Sequence, residues 1–526
     1  MRVESTSLPA APWLPDQGDG TYCNPVLHAD YSDPDAIRVG DDYWMTASSF
    51  CHVPGLPVLH SRDLVNWTLV GHALPRLVPE AVFAVPQHGK GVWAPAIRHH
   101  AGRFWIYYPD PDFGLYVITA LDPRGPWSAP VLVKAGKGLI DPCPLWDDDG
   151  SVYLIHAWAK SRSGICNRLT LLRLSADGTQ VEQDYGVLID GDRVDVPGFK
   201  TLEGPKLYKR DGWYYVSAPA GGVEEGWQSV FRSRSIHGPY EHRIVLAQGR
   251  TPINGPHQGA LVDTPSGESW FLHFQDKGAY GRIVHLQPVV WRDGWPVMGE
   301  AADGAGPGQP VLRHRKPAGP AVAPTAPATS DAFAGPTLSL PWQWQANPRS
   351  EWYSLTQRPG WLRLDGQPMP AAGNLFEAPA LLLQKFPAER FRVTVKLDLA
   401  AGGEDLTAGL LVFGYDYAWV GLRQAAAGIV PVMVTATCHD AVAGKPELAV
   451  PTAVPAAGGT VWLRVAVGVG GVVRLSHSRD GVTFVSEQAA EFRASKSRWV
   501  GAKVGLFAVG RGSADFADFV VEALPD

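Results

Sequence analysis

Asp211-Gly-Trp-Tyr-Tyr215 sets two turn-forming residues directly before a run of aromatic strand formers, and the chain carries this figure five times. The other copies are Gly40-Asp-Asp-Tyr-Trp44, Ala101-Gly-Arg-Phe-Trp105, Asp149-Gly-Ser-Val-Tyr153 and Ser266-Gly-Glu-Ser-Trp270. Asp and Gly accept the backbone angles of a tight turn, while Trp, Tyr, Phe and Val suit a pleated, half-buried surface. Several copies are followed by a second marker, as in Ser61-Arg-Asp-Leu-Val-Asn-Trp67, Leu121-Asp-Pro-Arg-Gly-Pro-Trp127 and Ser233-Arg-Ser-Ile-His-Gly-Pro-Tyr240. Each unit is about 47–62 residues long, enough for four short strands. Repeats of that length with strand chemistry predict propeller blades, and five of them predict a five-bladed β-propeller over residues 20–312.

Beyond the repeats the pattern changes. Residues 313–330 read as a linker, because nine of the 14 residues from Pro317 to Ser330 are Pro or Ala, without periodicity. After it, Phe391-Arg-Val-Thr-Val-Lys-Leu-Asp-Leu399 and Val461-Trp-Leu-Arg-Val-Ala-Val467 alternate apolar and polar residues. Ser478-Arg-Asp-Gly481 closes a hairpin and Asp518-Phe-Val-Val-Glu-Ala-Leu524 supplies a last strand. Residues 331–526 are therefore expected to form a β-sandwich. The fold class is all-β.

Composition narrows the function. Forty-six basic and 52 acidic residues leave a net charge of −6, which offers no electrostatic attraction to nucleic acid or to an anionic membrane. Gly (57) and Pro (46) together outnumber the four charged types, and there are 20 Trp. That profile fits an all-β protein with a wet, aromatic-lined cleft. The five cysteines form no metal-ligand spacing, so reduced thiols are expected. No apolar run has the length of a membrane span, and residues 1–20 lack a signal-peptide core, so a soluble, cytoplasmic protein is expected. A homo-oligomer is left open.

In a propeller the innermost strand of each blade lines a central channel. The residues eight to ten positions ahead of the repeated turns are Asp33, Trp93, Asp141, Glu203 and His257. Equivalent positions in a closed repeat converge on the axis, so three carboxylates and a histidine should share one pocket. An Asp-Pro pair such as Asp33-Pro34 or Asp141-Pro142 is by itself an ordinary turn former, and a Trp or His is more often core. The shared register is what gives these residues weight. Carboxylates crowded together raise one another's pKa, which is how an acid and a base are set apart. Trp93 adds a wall of the kind that stacks on sugars, and acid, base and sugar platform together suit glycosidic hydrolysis.

At these residues the chain resembles glycoside hydrolase family 43, the inverting β-xylosidases and α-L-arabinofuranosidases. The matching segments are Asn24-Pro-Val26, Asp33 through Tyr43, Ser61 through Trp67, Gly91-Val-Trp-Ala-Pro95, Asp141 through Leu145, Glu203-Gly-Pro-Lys-Leu-Tyr208, Gly281 through Pro288 and Trp291 through Trp295. Residues 330–364 resemble the start of the concanavalin-like sandwich of the β-xylosidase branch. The retaining invertase-type propellers open with Asn-Asp-Pro-Asn, whereas Ser32 precedes the Asp-Pro here. The resemblance implies Asp33 as general base, Glu203 as general acid, and Asp141 as an ionised neighbour that orients Glu203 and raises its pKa. It implies an inverting spacing of about 6.5–9.5 Å between base and acid. It makes Arg282 a sugar contact and His257 a substrate neighbour, with Phe50 and His52 as further subsite candidates. No cofactor is required for hydrolysis. A calcium ion in the channel would reach His257 through waters, a poor donor set for an ion that prefers six to eight oxygens.

Two departures from the best-known β-xylosidases, Cys51-His-Val-Pro54 and Pro256-His-Gln-Gly259, are expected to touch the sugar pocket. The leading expectation is exo-release of β-D-xylose from the non-reducing ends of xylo-oligosaccharides, with α-L-arabinofuranosidase or a bifunctional enzyme as the alternative. A carbohydrate-binding propeller without catalysis is disfavoured, since it has no use for an acid and a base. The sandwich is open to three readings: a separate sugar-binding module, a lid closing the propeller mouth, or an oligomer interface. The resemblance implies that it packs on the catalytic domain and can place an aromatic loop at the cleft, the candidates being Trp342, Trp344 and Phe413 through Trp419, the last run equally explained by strand packing.

Overall fold

A computed structural model describes residues 9–301, 306–399, 403–426, 430–455, 460–486 and 491–525. Residues 35–298 form five antiparallel four-stranded blades in sequence order, and the repeated turn joins the innermost strand of each blade to the second. Blade one is Asp35–Val39, Asp42–Thr46, Gly55–Ser61 and Trp67–Leu74. Blade two runs from Ala96–His100 to Val131–Ala135, and blade three from Leu139–Trp146 to Val181–Asp190. Blade four runs from Lys206–Arg210 to Glu241–Leu246, and blade five from His257–Asp263 to Trp295–Met298.

Strand alternation explains why the ring closes. Tyr43 and Met45 point into a core shared with Trp270 and Leu272 of blade five, while Trp44 between them packs with Ile97 and Ile106 of blade two. Similar cores lie between every other pair of successive blades, so each blade buries both faces and none is stable alone. The ends are tied by Thr21–Cys23, which pairs with Arg313–Arg315, and by the Asn24 side chain, which donates to the Leu286 and Val311 carbonyls. Residues 313–315, expected in the linker, thus form a strand on the propeller. The extended connector starts at Lys316.

The C-terminal sandwich is organised by one strand, Lys503–Ala523. Its first half pairs with Gly403–Phe413 and its second half with Phe391–Asp398, so it crosses from one sheet to the other. Gly510, with φ +105°, sits at the crossing, and a Cβ there would lie 2.0 Å from the Asp405 carbonyl oxygen. Trp342, Trp344 and Trp352 fill the sandwich core, which also takes in Tyr280 and Ile283 of blade five. The two domains share a core.

Candidate active site

One cavity of about 200 Å³ opens at the end of the propeller axis, with walls drawn from all five blades. Blade one gives Asp33, blade two Trp93, blade three Asp141, blade four Glu203 and blade five Gln258, with Phe50 and Arg282 beside them. Asp33 and Asp141 both take a left-handed backbone, each at φ 55°, where a non-glycine residue is uncommon and strained. Each Asp is followed by a Pro entering or within the innermost strand.

The carboxylates are held differently. Asp33 is 5% exposed and accepts from Ser32 Oγ at 2.7 Å, from Ser48 Oγ at 2.6 Å and from Arg282 Nη1 at 3.0 Å. Two hydroxyls and a guanidinium thus fix its orientation. Asp141 accepts at 2.7 Å from the backbone N–H of Gly204, the residue after Glu203, and so orients the acid through its main chain. Burial, together with the charges of Glu203 and Asp33, pushes the Asp141 carboxyl well above the usual carboxylate range. The cause is crowding: Asp141 is buried with two further carboxylates facing the same cavity. Glu203 keeps its side chain 23% exposed to the cavity and lies 3.2 Å, Oε1 to Nε2, from the fully buried His257.

His257 therefore backs Glu203 and does not line the cavity; a bulge between His257 and Gly259 turns Gln258 inward instead. Sequence reasoning missed Gln258, although it stands nine residues before Gly267, the same spacing as Trp93, Asp141 and Glu203 from their turns. His52 is a second correction. It is buried in a separate small cavity with His88, Arg498 and Lys503, its Nδ1 3.2 Å from the Ser49 carbonyl. The Cys51–Pro54 loop docks on the sandwich, with Val53 and Trp344 exchanging backbone hydrogen bonds at 2.9 and 2.6 Å, rather than facing the sugar pocket.

The aromatic group that the sandwich brings to the cleft is Trp499, not Trp342, Trp344 or Trp419, which are at most 3% exposed in the sandwich. The Trp499 ring is 6.0 Å from Trp93 and 5.8 Å from the Arg282 guanidinium, so Phe50, Trp93 and Trp499 make a continuous aromatic wall. Buried Asp30 ties this loop to the propeller: one carboxylate oxygen accepts from Gly501 N and the other from Arg282 N, both at 2.9 Å. The backbones touch here, since a Cβ on Gly501 would lie 2.5 Å from Gly281 N. Gly501→Ala is expected to cost about 1–3 kcal/mol of stability by overpacking. A thermal melt beside kcat/KM checks this, and both values should fall.

Among the described residues no group of three His, Cys, Asp or Glu side chains could hold a metal ion. His257 Nδ1 is buried without a partner, but it is a lone nitrogen where calcium prefers oxygens.

A propeller whose axis presents three carboxylates, one beside an arginine and one beside a histidine, under an aromatic wall defines a glycoside hydrolase. The family model of the Glycosyl hydrolases family 43 matches residues 22–296, and that of the beta xylosidase C-terminal Concanavalin A-like domain matches residues 330–522. The chain belongs to glycosyl hydrolase family 43. It is 42% identical over 410 residues to a Xylanibacter ruminicola protein named "Putative beta-xylosidase", covering 77% of this chain and 73% of that one. It is 30% identical to a non-reducing end alpha-L-arabinofuranosidase of Bacteroides ovatus, covering 75% and 74%. The solved xylan beta-1,4-xylosidase of Bacillus halodurans superposes with a TM-score of 0.82 at 25% identity, over 95% of this chain and 99% of that one.

Proposed function

We propose that this chain is an exo-acting, inverting β-xylosidase that removes xylose from the non-reducing ends of short xylo-oligosaccharides. The observation that carries the reading is the placement of Asp33 and Glu203 on blades one and four around one cavity, closed on a side by the Trp499 loop. In this mechanism Asp33 takes a proton from a water as that water attacks the anomeric carbon. Glu203 gives its proton to the glycosidic oxygen as that bond breaks. Asp141 supports the acid through the Gly204 N–H, which fixes the main chain next to Glu203. Arg282 holds Asp33 and reaches the cavity, where its fork suits vicinal hydroxyls. A cavity of about 200 Å³ walled on one side by the Trp499 loop supports action on a chain end. The five free cysteines suit a reducing compartment, in keeping with action on oligosaccharides inside the cell.

The name of the Bacteroides ovatus relative favours a second reading, α-L-arabinofuranosidase, because a small pocket separates two pentoses of similar hydroxyl pattern only weakly. Paired kinetics on 4-nitrophenyl β-D-xylopyranoside and α-L-arabinofuranoside test the choice. A higher kcat/KM on the xyloside, unchanged by chelator, is expected. A preference for the arabinofuranoside would replace the first reading with the second, and turnover of neither would remove both.

A further inference from the structure

We propose that Gln258 is a substrate-binding residue whose side-chain amide reads one hydroxyl of the sugar in the catalytic cavity; this rests on the glycosidase reading above. The local backbone is set up for the purpose. The bulge takes Gln258 out of the ladder between His257–Asp263 and Ser269–Asp276 and leaves it at φ 41°. A non-glycine residue is strained in that region, and such strain persists only where the surroundings enforce it. Gly204 meets the amide from the other side, for a Cβ on Gly204 would lie 2.5 Å from Gln258 Cδ. The glycine following the acid thus makes room for this side chain.

The amide nitrogen has no hydrogen-bond partner to account for its position. Gln258 is 3% exposed, lines the cavity with Asp33, Glu203 and Arg282, and its Nε2 is buried without a hydrogen bond. Buried polar groups are nearly always paired, and leaving one unpaired costs stability. A carboxamide offers a donor and an acceptor side by side, and a sugar hydroxyl is the complementary group that can serve as both. Its contact with Gly204 places the amide beside the acid, hence on the side of the ring near the scissile bond.

The test uses Gln258→Leu, which keeps the bulk, and Gln258→Glu, which keeps the shape but removes the donor pair when ionised. Each is compared with the wild-type full chain on whichever aryl glycoside the wild type turns over faster, and on its 2-, 3- and 4-deoxy analogues. Gln258→Leu should lower kcat/KM at least 10-fold on the parent glycoside, with a melting temperature equal to or above that of the wild type. On one deoxy analogue the penalty should vanish, because the lost partner is then missing on both sides. Gln258→Glu should show the same selective loss and serves if the leucine variant does not fold. An equal penalty on every analogue, or no penalty on the parent, would overturn the proposal while leaving the wild type a glycosidase. A wild type inert on every glycoside would instead remove the reading on which it rests.

Discussion

Glu203→Gln is expected to reduce kcat on xylobiose by about 10²- to 10⁴-fold, and to reduce it far less on 4-nitrophenyl β-D-xylopyranoside. The difference follows from the leaving group. A sugar alkoxide cannot depart without a proton, whereas nitrophenolate is stable enough to leave unaided. Asp33→Asn should instead lose a similar factor on both substrates, because the attacking water must be activated whatever leaves. Steady-state kinetics on the two substrates for the two variants give four numbers whose pattern is specific. An equal loss on both substrates for Glu203→Gln would deny it the acid role. A substrate-dependent loss for Asp33→Asn would deny that residue the base role. Neither variant should move the melting temperature much: Asn keeps an oxygen for Arg282 and turns its NH2 to the Ser32 and Ser48 hydroxyls, which can accept as well as donate, and Gln keeps an oxygen for His257.

Removing the sandwich is expected to abolish activity altogether. A chain ending at residue 330 would expose Tyr280 and Ile283, which are 4% and 1% exposed in the shared core, and would strand the Val53 and Leu77 N–H groups that Trp344 and Asn347 satisfy. Insoluble or inactive protein is therefore the expected product, measured by soluble yield and turnover; a fully active fragment would refute the lid. Trp499→Ala in the full chain separates folding from function. The ring is 37% exposed and meets the cavity, so its loss should leave the melting temperature nearly unchanged. The kcat/KM should fall about 10- to 100-fold, the scale of losing one aromatic face from a sugar and from Arg282. An unchanged kcat/KM would mean that the loop only covers the propeller and does not bind substrate.

Much of this was legible in the chain because the fold repeats. Five turn-and-aromatic figures at blade spacing identify the propeller, and the fixed offset from turn to inner strand selects Asp33, Trp93, Asp141 and Glu203. Symmetry carries that inference, since residues at one position in every blade must meet at the axis. The offset misled at blade five, where a bulge shifts the inward position from His257 to Gln258. It says nothing about His52, whose cavity is closed by Arg498, Lys503 and other residues of the C-terminal domain.

The sequence by itself determined the all-β class, the blade count and the acidic character of the axis, because these follow from local periodicity and from repetition. Only the tertiary structure decided which aromatic residue closes the cleft. Trp342, Trp344 and Trp419 are used up inside the sandwich, while Trp499 sits on a loop that Asp30, Gly281 and Gly501 clamp to the propeller mouth. It also decided which carboxylate is pushed upward, since burial and the charges of Glu203 and Asp33 meet at Asp141 only once blades one, three and four close. Contacts between residues hundreds of positions apart leave no periodic trace in the chain. They are fixed when the two domains pack, through a shared core and backbones close enough to touch.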